Sequence, residues 1–171
     1  PLESIRAFSG YVARGTGVAT DHVHPWHFYL RMLTVYRFDS GPVWSEGLIT
    51  GLGAVGAVFI LLKRTPSAVN AELARFLLFY TLLLTLAYTL IPYKTPWCIL
   101  SFLHGWILLA GIGAAAIMEV SRRGKAPRLQ SGIVLVLLAV LTLATYRTAR
   151  RTVFRFAADY RNPYVYAHTV P

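Results

Sequence analysis

Four uncharged apolar runs, at residues 47–62, 76–91, 97–118 and 129–146, constrain this chain more than any other feature. Each holds about 16 to 22 residues, close to the roughly 20 that an α-helix needs to cross a bilayer's hydrocarbon core. A water-soluble domain breaks its apolar residues into short amphipathic stretches, and burying four such runs would leave almost no amphipathic helix to cover them. Only 14% of the residues are charged and the mean hydropathy is +0.51, whereas charged residues make up about a quarter of an ordinary soluble domain. Lipid is therefore the expected solvent. The predicted class is an all-α, polytopic integral membrane protein with about four transmembrane helices.

The ends of the runs support the same reading. The first reaches back to Trp44 if Glu46 is tolerated, and Glu46 sits where a helix dipole favours a carboxylate. Arg75 can snorkel from the start of the second run, and Pro92 closes that run by removing a backbone donor. The third carries a single polar intruder, His104, expected to face protein because an unpaired polar group is costly in hydrocarbon. A formal net charge of +10 could signal nucleic-acid binding, but the basic residues flank the runs, at Lys63-Arg64, Arg122-Arg123-Gly124-Lys125 and Arg147 to Arg151. Membrane proteins place cations there for topology and headgroup contact, so the expected partner is membrane lipid and not nucleic acid. The single Cys98 allows no internal disulfide and reads as a small apolar residue near a helix start.

Four crossings put residues 1–43, the turn 92–96 and the tail after Tyr146 on one side. The loops holding Lys63, Arg64, Arg75, Arg122, Arg123, Lys125 and Arg128 fall on the other, which the excess of short-loop cations marks as cytoplasmic. The tail, with Arg147, Arg150, Arg151 and Arg155, runs against that count. The chain divides into an extracytoplasmic, interfacial segment at 1–43, a four-helix region at 44–146, and the start of a C-terminal extracytoplasmic region at 147–171. Within the first segment, Pro25 can open an amphipathic interfacial helix over residues 26–36, its rings in the headgroup zone and its leucines on the membrane. The chain begins at Pro1 without a signal segment and stops at Pro171, so it is expected to be an excerpt of a longer protein.

Three segments rich in polar and aromatic residues then fall on the extracytoplasmic side. They are Asp21-His22-Val23-His24-Pro25-Trp26-His27-Phe28-Tyr29-Leu30, Tyr93-Lys94-Thr95-Pro96-Trp97, and Asn162-Pro163-Tyr164-Val165-Tyr166-Ala167-His168. Three readings of the histidines stand side by side. They can bond water or headgroups at the interface; His22 and His24 can bind an anionic substrate group; or His22, His24 and His27, with Asp21, can ligate a metal. Their spacing matches no standard metal-binding helix face. Lys94, held between two prolines in a short turn, suits either a phosphate contact or a snorkelling anchor. Trp97 reads as an aromatic-belt residue.

Together with Gly41-Pro42-Val43-Trp44-Ser45-Glu46, the motifs His24-Pro25-Trp26-x-Phe28-Tyr29-Leu30, Tyr93-Lys94-Thr95-Pro96-Trp97-Cys98 and Asn162-Pro163-Tyr164-Val165-Tyr166-Ala167-His168 resemble a known family. It is that of the prokaryotic flippase activity-associated membrane proteins, in the protein-mannosyltransferase-like branch of the GT-C glycosyltransferases. The resemblance runs over nearly the whole chain. It implies the C-terminal part of a plasma-membrane enzyme that takes sugar from a polyprenyl-phosphate carrier on the extracytoplasmic face. The implied substrate-binding residues are His22, His24, Trp26, Tyr29, Lys94, Thr95, Trp97, Asn162 and Tyr164, with a divalent metal ion the one cofactor left open. It further implies that the catalytic acid lies in a loop ahead of this chain, supplied by the remainder of the same protein. Within the chain, Asp21 and Glu46 are the carboxylates to test. In that family the position of His27 is aromatic, which argues for a packing role there. The alternative of another class is a non-catalytic accessory protein that handles lipid-linked saccharides. A proton-coupled exporter would require an intramembrane carboxylate, and none of the four runs has one.

Overall fold

The structure is a computed structural model and describes residues 22–162 together with Glu3, Arg6 and Tyr164. Its elements in chain order are a short helix α1 (Phe28–Thr34), α2 (Gly47–Leu61), α3 (Ala71–Leu90), a 3₁₀ turn (Pro96–Ile99), α4 (Leu100–Arg122), α5 (Pro127–Arg150) and a π-helical turn (Arg151–Arg155). The fold is all-helical. Three stretches, Ala71–Leu90, Pro96–Arg122 and Pro127–Arg155, are long and apolar enough to cross a membrane. α2 has 15 residues, which at about 1.5 Å per residue gives roughly 22 Å, short of a full hydrocarbon core.

Local chemistry sets the ends of these helices. Asn70 caps α3, its Oδ1 accepting from the backbone N–H groups of Glu72 (2.9 Å) and Leu73 (3.0 Å), two of the donors a helix start leaves unpaired. Pro127 occupies the first turn of α5, where its missing N–H is harmless. α2 closes in a Schellman motif: Arg64 N–H bonds Phe59 O (2.8 Å) and Lys63 N–H bonds Ile60 O (3.0 Å). Lys63 takes the left-handed position there at φ 57°, where glycine is the usual occupant.

α4 is the hub, packed against α2, α3 and α5. Small residues let α2 approach it: a Cβ on Gly113 would lie 2.0 Å from Leu52 O and 2.9 Å from Gly56 N, and one on Gly56 would lie 2.3 Å from Leu109 O. Such close backbone contact is how helices associate in lipid, where apolar burial gives no net drive. α3 packs into the same core, its stripe Ala74, Leu78, Thr81, Thr85 and Thr89 buried, with Ala74 and Leu78 meeting Ile60 of α2 and Leu109 and Ile112 of α4. Trp106 Nε1 donates to Thr85 Oγ1 (3.1 Å), and Thr85 Oγ1 donates to Thr81 O (2.7 Å). No residue of α5 is fully buried: one face is half-buried against α4, where Ser131 Oγ lies 3.0 Å from Ser121 Oγ, and the rest of its circumference faces outward.

Two expectations change. His104 is exposed on α4 beside Tyr80, with ring centroids 6.0 Å apart, because the buried stripe Phe102, Gly105, Leu109, Ile112 and Ala116 leaves it one step off the inward face. The interfacial helix is seven residues, not the expected 26–36, and it buries Tyr29, Met32 and Leu33 against Ile99 and Phe102 instead of laying its apolar face on lipid. It ends where Val35 turns extended, so that Tyr36 and Trp44 can exchange backbone hydrogen bonds of 2.9 and 2.8 Å.

Candidate functional site

The starts of α2 and α4 and the ends of α3 and α5 share one end of the bundle, and there the polar, aromatic segments interlock. The segment before α1 pairs with the turn after α3 as a short antiparallel bridge at Val23 and Tyr93. Lys94 N–H donates to His22 O (2.8 Å) and His24 N–H to Pro92 O (3.3 Å). Two prolines flank that turn, so its backbone has few internal partners and takes them from the histidine segment.

Lys94 lies inside this junction at 1% exposure. Its Nζ donates to His24 O (3.3 Å) and to Ile91 O, which occupies two of the three ammonium donors. Burial lowers its pKa from the usual lysine value. Burial also lowers that of His24, and the neighbouring His22 and Lys94 add to the effect. The His24 ring stacks on Phe28 with centroids 4.1 Å apart, and His22 meets Tyr93 edge-on at 5.2 Å.

Beneath them Tyr29 links α1 to the lysine turn. Its hydroxyl donates to Thr95 O (3.0 Å) and accepts from Thr95 N–H (3.2 Å), and burial drives its pKa upward. Thr95 Oγ1 lies 3.0 Å from Cys98 Sγ. Around the rim Trp26 is 64% exposed and Trp97 42% exposed, so both rings present area to whatever covers this end.

The tail completes the junction. Asn162 is buried; its Nδ2 donates to Thr152 O (3.2 Å) and Phe156 O (2.9 Å), while its Oδ1 accepts from Tyr164 N–H (3.0 Å). Tyr164 OH donates to Glu46 Oε1 (3.3 Å) at the head of α2. Burial pushes the Glu46 carboxyl above the usual carboxylate value, and the bond from Tyr164 opposes that rise. The Tyr164 hydroxyl is itself raised by burial and by the adjacent carboxylate. The Gly41-Pro42 turn brings Trp44 back to Tyr36, and its Nε1 then donates to Arg161 O (3.3 Å).

Of the residues singled out in sequence, His22, His24, Tyr29, Lys94 and Thr95 thus form one connected cluster. Glu46, Asn162 and Tyr164 form a second at the same end, its Tyr164 packed against the apolar core that holds Tyr29. Asp21, Pro163 and residues 165–168 lie outside the described residues. No group of three histidine, cysteine, aspartate or glutamate side chains comes together among the described residues. Tyr93 and Trp44 stand within the quoted motifs but not among the implied binding residues, and both join this junction. The glycine-proline turn between two aromatic segments was the available signal for Trp44.

The junction offers one buried ammonium with a donor remaining, two imidazoles, a carboxyl held toward its neutral form, and flat exposed rings. That set can neutralise an anion and stack on a ring, and Glu46 can accept or return a proton. The chain matches no protein-family model, no curated protein and no solved structure.

Proposed function

We propose that this chain is the carrier-binding, C-terminal part of a membrane glycosyltransferase whose donor is a polyprenyl-phosphate sugar handled on the extracytoplasmic face. The observation that carries the reading is the pairing of residues 22–24 with residues 92–94, which brings Lys94, His22 and His24 together at one end of the bundle. A lipid-linked sugar carries a phosphate at that depth, an apolar tail below and a sugar above. The Lys94 ammonium suits the phosphate, with the two imidazoles as hydrogen-bonding neighbours, and the exposed Trp26 and Trp97 rings suit sugar or prenyl carbon. Glu46 is the described carboxylate best placed to handle a proton, with Tyr164 orienting it.

A second reading is favoured by a specific observation: Lys94 and Asn162 direct their hydrogen bonds at backbone carbonyls, as framework residues do. That suits an accessory protein that holds a lipid-linked saccharide without reacting with it.

Transfer from a radiolabelled polyprenyl-phosphate sugar by the full-length protein separates the two. The transferase reading expects label in the acceptor and its loss in Lys94→Ala, with Cys98→Ala unaffected. Carrier binding without transfer would sink the enzyme reading, and equal behaviour of the two variants would sink the phosphate role of Lys94. Thermal melts of each variant separate a lost contact from a lost fold.

A further inference from the structure

The last span ends in a cationic groove that the junction above does not use. Arg147, Arg150, Arg151 and Arg155, with Phe154, line a groove of about 360 Å³ along one face where α5 passes into the π-helical turn. The spacing i, i+3, i+4 and i+8 puts the four guanidinium groups on a single helical face. All four side chains are exposed, and Phe154 is 77% exposed beside them.

No acidic residue stands between Glu119 and Asp159 in the sequence. The ion pairs among the described residues, Glu119 with Arg123 and Asp159 with Arg161, involve none of the four. Four positive charges within about two turns repel one another at helical spacing. Topology does not explain them either. The opposite end of the spans is already basic, with Lys63, Arg64, Arg122, Arg123, Lys125 and Arg128, and a rule that sorts one side from the other cannot account for both.

The surroundings identify what balances the charge. On the same face, one and two turns deeper, Leu143 and Val140 are exposed on a span with no buried residue. The groove therefore continues into surface suited to acyl chains. Guanidinium groups match phosphate oxygens two at a time, where an ammonium offers only a point charge.

We propose that this groove seats the phosphate headgroup of a membrane lipid, with the acyl chains lying along Leu143 and Val140. The proposal does not rest on the transferase reading, since the phosphate and the tail are what the groove recognises.

The test uses the full chain in phosphatidylcholine nanodiscs doped with a minor share of phosphatidylglycerol, with retained lipid counted by native mass spectrometry. Preferential retention of phosphatidylglycerol is expected. Arg150→Gln with Arg151→Gln should weaken it about thirtyfold, two arginines each interacting with anionic lipid. Arg122→Gln with Lys125→Gln, the same charge change at the opposite end, should leave it unchanged. All four positions are exposed, so neither pair disturbs packing. Equal loss in both pairs would mean diffuse surface attraction and overturn the site. Displacement of the lipid by inorganic phosphate at matched concentration would assign a free-anion site and overturn the lipid. No preference over phosphatidylcholine would overturn it outright.

Discussion

The sharpest test of the architecture compares one substitution at two glycines of the same helix. At Gly113→Ala the new methyl would sit 2.0 Å from Leu52 O and 2.9 Å from Gly56 N, whereas at Gly111→Ala it meets nothing within 4 Å. Ordinary contact begins at 3.4 Å, so α2 and α4 must separate by about 1.4 Å at the first site, taking 2.0 from 3.4. The neighbours are backbone atoms of a helix and cannot rotate away. Overpacking of that kind costs about 3 kcal/mol, the upper part of the usual range. Replacing an unhindered helical glycine by alanine gains about 0.5 to 1 kcal/mol. The two variants should therefore move in opposite directions and differ by roughly 3.5 to 4 kcal/mol, the sum of those terms. Equilibrium unfolding in mixed micelles, followed by far-UV circular dichroism, reads this directly. If Gly113→Ala is as stable as Gly111→Ala, the close crossing of α2 on α4 is wrong.

Tyr29→Phe removes both hydrogen bonds to Thr95 and leaves a buried N–H and C=O without that partner, a loss of about 1 to 3 kcal/mol that the same unfolding assay measures. Lys63→Gly relieves the left-handed residue that closes α2 and should stabilise by about 1 kcal/mol, with no change in lipid retention. Glu46 gives a pH signature: its folded pKa is raised above the ordinary 4.5, so the folded state holds the proton longer. The stability it contributes is present below pH 4.5 and falls as pH rises through the raised value. Glu46→Gln should flatten the unfolding profile across that window. His24 acts with the opposite dependence: its pKa is lowered from 6.5, so its contribution is present above pH 6.5 and lost as pH falls through the lowered value. His24→Gln should remove that acid-side decline.

Membrane character and helix positions were legible along the chain, because hydrophobic transfer acts residue by residue and needs no knowledge of neighbours. The run predicted at 129–146 became Pro127–Arg150, and the run at 76–91 became Ala71–Leu90, the extra turns coming from polar residues that finish a helix beyond its apolar stretch. Gathering the distant motifs at one end also follows from counting crossings. Partner choice at close range did not follow. That Lys94 turns inward to His24 O and Ile91 O depends on two chain segments 70 residues apart meeting in one register. The inward face of α1 was equally hidden, since a seven-residue amphipathic stretch fits lipid or protein and only the presence of Ile99 and Phe102 selects protein. The same holds for His104, whose outward position was fixed by which stripe of α4 meets α3. The apolar runs alone thus determined that the chain is helical and lies in a membrane. Packing decided which polar groups are locked into the framework and which, like the exposed arginines where the last span ends, stay outside it, because directional hydrogen bonds and steric fit exist only once the helices have met.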